Sequence, residues 1–366
     1  MQILALITAL ILLTISTFYS DQLYEYYESR QLHKDINNYT KTYLNATFFG
    51  ELLKNNTSIL TPSSTPESAK ATYPDISIMP LLPKATIVPR LSAARGHANH
   101  GWLDSHHTFS FASYHDPLYT SFGSLRVLNE DRVAAHRGFD THPHRDAEIF
   151  SYILSGQLTH RDSMKQRGKE GKMGDDFYRM ERGDVQFTTG GTGIAHSEQN
   201  ESDNEVHFLQ IWALPWKRGL TPRYHTETFP EEAKREKFVP ILSPLKAGPN
   251  ASAEEEKEAR PSVEGTIPIH ADLVMAAGII GAGKRFKYTV GGAAYGNDVV
   301  RKADRRVYIH LPMTKQGAAE IRLDGRESAV LKEGDGAFIT DVKVGDVLSV
   351  ESVGQAEAEV IILDSD

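Results

Sequence analysis

From about Leu91 to the C-terminus the chain is written in short apolar runs, rich in β-branched and aromatic residues and punctuated by Gly, Asp and Asn. Runs of this length at regular spacing read as strands, and many of them with few helical stretches specify an all-β sandwich or barrel. Clear examples are Ser124–Leu128, Ala147–Leu154, Asp184–Thr188 and Val206–Trp212, then Glu320–Leu323, Gly336–Ile339, Val347–Val350 and Ala358–Leu363. One short helix is expected over 231–238 (EEAKREKF). A polar, acidic stretch at 246–265 breaks the pattern, so two β units are expected, 91–240 and 241–366 with the acidic insert near the start of the second.

The first 90 residues differ in kind. Residues 1–20 carry no charged side chain, and Ile3–Phe18 is apolar apart from Thr and Ser. That length lies between a signal-peptide core and a membrane span. It is read as a signal or anchor segment, implying a membrane-anchored or secretory location. If the segment is not functional, the alternative is cytoplasmic or nuclear. Arg30, Lys34 and Lys41 after it favour a cytoplasmic flank. The sequons at Asn38, Asn45, Asn55 and Asn56 favour a lumenal one. Residues 21–90, Ser-, Thr- and Pro-rich from 57 on, read as a low-complexity, disordered linker.

Composition narrows the chemistry. With no cysteine, disulfides, thiolate metal sites and a cysteine nucleophile are excluded. With a net charge of −8 and no basic tract, direct nucleic-acid binding is not expected. Of 15 histidines, 12 lie between His97 and His225, so a metal site is sought there.

His142 and His144 are two apart, and in a strand such residues share a face. Pro143 between them suits an edge strand. His196 and Glu198 repeat the spacing about fifty residues on, after a stretch with Gly190, Gly191 and Gly193. Three imidazoles and one carboxylate suit Fe, Cu, Ni or Mn and leave positions open for substrate or O₂. A closed structural zinc site has a different composition.

The run H-x-H-x3-E-x7-G from His142 to Gly156, then G-x2-H-x3-N from Gly193 to Asn200, resembles the two cupin motifs. RGHANHGWLDSHHTFSFASYHDP (95–117), THPHRDAEI (141–149), GTGIAHSEQN (191–200) and LQIWALP (209–215) resemble the pirin family more narrowly, on its bacterial quercetin 2,3-dioxygenase branch. The resemblance runs from about Leu91 to Asp366. It implies two tandem cupin domains, jelly-roll-like β-barrels, the first metal-binding and the second metal-free. It places the ligands on His142, His144, His196 and Glu198, leaving Glu148 either to support a ligand from behind or to serve structure. It implies one divalent transition metal, iron first, with Cu, Ni, Mn and Zn as the other candidates. It implies a flavonol or enol substrate and O₂. As the one anionic ligand, Glu198 is also the candidate catalytic base for the hydroxyl proton. The alternative that the resemblance carries is a non-enzymatic iron-binding co-regulator of transcription, whose metal senses redox state for a protein partner.

Other polar residues are weighed beside these. His97, His100, His106 and His107 are expected to hydrogen-bond between strands. His160 and Asp162 could orient a ligand, but a solvated hairpin end is preferred. Phe150, Phe187 and Phe208 are assigned to core packing ahead of a pocket over the metal. His270 and His310 are isolated and read as structural. GIIGAGKR (278–285) nearly spells a phosphate-binding loop, but Arg285 replaces the required Ser/Thr and a strand follows.

Overall fold

The computed structural model describes residues 81–163, 177–292 and 303–366. The apolar segment 1–20, the sequons and most of the expected linker lie outside them. Among the described residues no helix is long and apolar enough to cross a membrane.

Two barrels are built alike, each from a seven-stranded and a four-stranded sheet. In the first, the large sheet runs Arg223–Thr228, Asp184–Thr189, Glu148–Ser155, Val206–Ala213, Leu125–Val133, Leu103–His107, Gly96–Asn99, all antiparallel. Its small sheet runs Gly138–His144, Ile194–Gln199, Leu158–Asp162, Tyr178–Met180. Each strand read from the sequence is present, generally extended by a few residues at its C-terminal end. The short helix spans Glu231–Glu236. The near-phosphate-loop motif is a turn between strands Leu273–Ile280 and Arg285–Thr289, which belong to different sheets of the second barrel.

Thr86–Arg90, assigned by composition to the linker, is a strand. It pairs antiparallel with Gly336–Lys343 at the edge of the second barrel's large sheet. Pro89 is tolerated because an edge strand needs to donate on one side only. The turn before it is fastened to the same barrel. Leu81 and Leu82 donate their N–H groups to the Asp324 carboxylate, and Arg326 donates to the Leu82 and Ala85 carbonyls. The acidic insert folds into a helix, Ala253–Glu258, begun by a Ser252/Glu255 capping box. Its Glu256 pairs with His270 and Lys217.

Strand alternation sorts the core. Phe150, Tyr152 and Leu154 point away from the first barrel's interior and meet Ile241, Leu273, Met275 and Ile361 of the second. This shared core packs the two large sheets face to face. A cluster of 23 buried apolar residues fills the second barrel's interior, whereas the first has a cluster of six around Val206 and Phe208, with Val127, Ile149 and Ile194 buried apart from it. Much of the rest of the first interior is polar: Ser151, Asp131, His160, His196, Glu198 and Gln210 are all buried. Phe150 and Phe187 stack within the shared core and Phe208 sits in the apolar end, so all three serve packing.

Glu130 joins the barrels. Its fully buried carboxylate accepts from Arg95 (3.1 Å), His207 (3.0 Å), His310 (3.0 Å) and the Met313 N–H (2.7 Å). Burial alone would raise its pKa. The hydrogen bonds from both histidines and the charge of Arg95 outweigh it and hold the group well below the usual carboxylate range. His310 is thus structural, as is His270, which bridges Glu148 and Glu256. Glu130→Ala would leave Arg95 buried without its partner, so a stability loss of about 3–5 kcal/mol is expected in denaturant unfolding. A loss below about 1 kcal/mol would show that the junction does not depend on it.

Asp131, one residue on, faces the first barrel's interior. Burial raises its pKa to about 7, against the hydrogen bond donated by Ser105. Between pH 4 and 7 the folded metal-free protein therefore keeps a proton that the unfolded chain has released. Its stability falls as pH rises through that window. Asp131→Asn should stabilise the metal-stripped protein more at pH 8 than at pH 5, read as the difference in Tm from wild type.

Candidate metal centre

His142 and His144 lie on Gly138–His144, the edge strand of the small sheet, with Pro143 between them as expected for an edge. His196 and Glu198 lie on the adjacent strand, where His196 pairs in register with His142. The register then slips. Two steps from His196 to Glu198 are matched by three from His142 to Phe139, so the edge strand bulges around Asp140 and Thr141. Gly138 is required below the bulge, since a Cβ there would lie 2.2 Å from the Glu198 carbonyl oxygen. Gly193, at φ +127°, opens the strand that carries His196.

The three imidazoles converge. Their ring centroids are 4.6 to 4.8 Å apart, and one nitrogen from each falls within 4.8 Å of the others. Two rings are fixed from behind. The bulge frees the Asp140 carbonyl to accept from His142 Nδ1 at 2.7 Å. His196 Nδ1 meets His160 Nε2 at 2.7 Å. Both Nε2 atoms therefore face inward, 3.1 Å apart. Two nitrogens each about 2.1 Å from one ion are roughly 3.0 Å apart at a right angle and roughly 3.4 Å apart at the tetrahedral angle. The observed spacing fits a shared ion.

Electrostatics favours the ligating form. Burial, then the neighbouring ring of His142, lowers the pKa of His144 to about 3. Burial and the rings of His160, His144 and His142 push His196 far down. Neutral imidazoles with inward lone pairs are what a divalent cation requires.

Glu198 shares the inward face but stands outside the three-histidine group at that spacing. Ser151 Oγ donates to its Oε1 at 3.0 Å and Gln210 Nε2 to its Oε2 at 2.9 Å. Burial, reinforced by Asp131, raises its pKa to about 7 although both hydrogen bonds oppose this. Glu148 lies in the contact between barrels, bonded to Thr189 and His270.

His160 and Asp162 depart from the expected solvated hairpin end. They are 0% and 3% exposed, because their strand is interior to the small sheet and their side chains enter the barrel. Ser151, Gln210 and Trp212 went unremarked in the sequence. The signal was parity: Gln210 and Trp212 continue the inward face of Val206 and Phe208, where a glutamine needs a polar partner. Trp212 stands edge-on to His144 at 5.0 Å. His107 bonds across strands to Asn129 and His97 to Asp104, as expected, and His97 and His106 also stack on the sheet's other face.

The Pirin family model matches residues 89–213. A Pseudomonas aeruginosa protein provisionally named quercetin 2,3-dioxygenase is 36% identical over 259 residues, 70% of this chain and 95% of that one. An Escherichia coli protein named quercetin 2,3-dioxygenase is 48% identical over 141 residues, 38% of this chain and 57% of its own length. The solved structure of the Escherichia coli bacterial pirin YhhW in complex with nickel(II) is 32% identical, with a TM-score of 0.59, covering 76% of this chain and 99% of that one. The duplicated barrels, the histidine cluster confined to the first, and these matches place the chain in the pirin family.

Proposed function

We propose that this protein is a metal-dependent dioxygenase that opens a flavonol or related enol with O₂. The observation that carries the reading is the pair of inward Nε2 atoms of His142 and His196, each backed at Nδ1, with His144 beside them and a buried carboxylate two residues beyond His196. The names of the relatives support the substrate class. The nickel complex of YhhW supports a divalent metal.

His142, His144 and His196 would hold the ion, with Glu198 as the fourth ligand. A divalent metal held there would lower the pKa of an enol hydroxyl and stabilise its anion. Glu198, the one anionic group of the set, takes the hydroxyl proton. Ser151 and Gln210 orient its two oxygens. Trp212 supplies an apolar wall for a flat aromatic ring. The enol anion is electron-rich enough to react with O₂, and ring cleavage releases carbon monoxide and a depside.

The test uses the full chain loaded separately with Fe(II), Cu(II), Ni(II) and Mn(II), following quercetin consumption and carbon monoxide release. Turnover that disappears in His144→Ala supports the reading. Tight metal binding without turnover by any ion would overturn it and favour the redox-sensing binding protein. Glu198→Gln should lose more turnover than metal, and equal loss of both would remove the base role. His160→Ala takes away the partner of His196 Nδ1 and should weaken metal binding about 10–100-fold in equilibrium dialysis.

A further inference from the structure

A second set of metal-ligating side chains lies on the edge hairpin of the first barrel's large sheet, formed by Gly96–Asn99 and Leu103–His107. His97 and His106 are direct cross-strand partners. Asp104 precedes His106 by two residues and so shares its face. Ser105 and His107, of opposite parity, are buried, which leaves His97, Asp104 and His106 on the accessible side. The two rings stack with centroids 4.4 Å apart and planes 22° from parallel. Asp104 Oδ1 lies 2.6 Å from His97 Nε2 and 3.9 Å from His106 Nδ1. One ligand atom from each residue falls within 4.8 Å of the other two.

We propose that His97, Asp104 and His106 form a second metal site, taking a borderline divalent transition ion of the Zn²⁺ type, with water in the remaining positions. Two imidazoles and one carboxylate match that class of cation. The side chains are 49%, 40% and 22% exposed, so an ion reaches them from solvent without opening the fold. Arg132, opposite Asp104 in register, does not take the carboxylate. Its guanidinium donates to Glu205 and to the Met313 carbonyl. The site shares no residue with the histidine cluster of the small sheet and does not depend on the proposed activity.

The test is zinc stoichiometry of the metal-stripped full chain by equilibrium dialysis against ZnCl₂. The expected result is that His97→Ala/His106→Ala binds one equivalent fewer than wild type, while His142→Ala/His144→Ala retains that equivalent. Zinc should also shift the imidazole NMR signals of His97 and His106 in wild type and in the His142→Ala/His144→Ala variant. Both altered residues of the first variant are on an accessible face, so its Tm without zinc should stay near wild type. Equal zinc binding by wild type and His97→Ala/His106→Ala would overturn the proposal, as would unshifted His97 and His106 signals at saturating zinc.

Discussion

Small barrels are held together by what fills them, and the first barrel is filled largely with polar groups. Three buried carboxylates, Asp131, Asp162 and Glu198, share its interior with His160, His196 and Gln210. Groups of this kind lose hydration on burial and contribute little to stability unless paired. The barrel's apolar residues gather mainly in a six-residue cluster at the other end. Stability must then come from outside the barrel. The back of the large sheet supplies it by packing against the second barrel, whose own interior is almost wholly apolar. Duplication has separated two tasks, with one copy holding the donors and the other supplying the packing that lets them stay buried.

The junction between the copies is itself specific. Apolar packing alone tolerates sliding, whereas Glu130 demands four donors at fixed positions, two of them from the second barrel. His270 reaches the opposite way, tying Glu148 of the first barrel to the capped helix of the acidic insert. The second barrel's histidines, His270 and His310, thus act as fasteners. In the second barrel, the ladder matching the metal-bearing one pairs Val347–Glu351 with Thr289–Arg285 and carries no histidine.

Much of this was legible because it is local. Period-two alternation exposed the strands, and same-face spacing exposed His142, His144, His196 and Glu198. The lone histidines were rightly read as structural. What escaped depends on distant partners. The burial of His160 follows from its strand lying between two others, which no local pattern records. The pairing of Glu198 with Ser151 and Gln210 needs the register of three strands at once. Thr86–Arg90 was lost among prolines, since composition reports how a segment looks and not which sheet edge waits for it. The helix in the acidic insert was announced by Ser252 and Glu255, but the surrounding polarity hid it.

That N-terminal strand has a consequence for biosynthesis. Thr86 leaves the ribosome before any of the first barrel, yet its hydroxyl bonds to Asp341, 255 positions later. The second barrel therefore cannot close its edge from its own contiguous sequence. The first barrel is inserted, topologically, into a loop of the second. The nascent strand must stay unpaired while an entire barrel folds beside it, and the last strands to emerge complete a sheet whose border was made first. The second barrel is thus discontinuous in sequence, and excising the first as one contiguous piece would sever the second from its own edge strand.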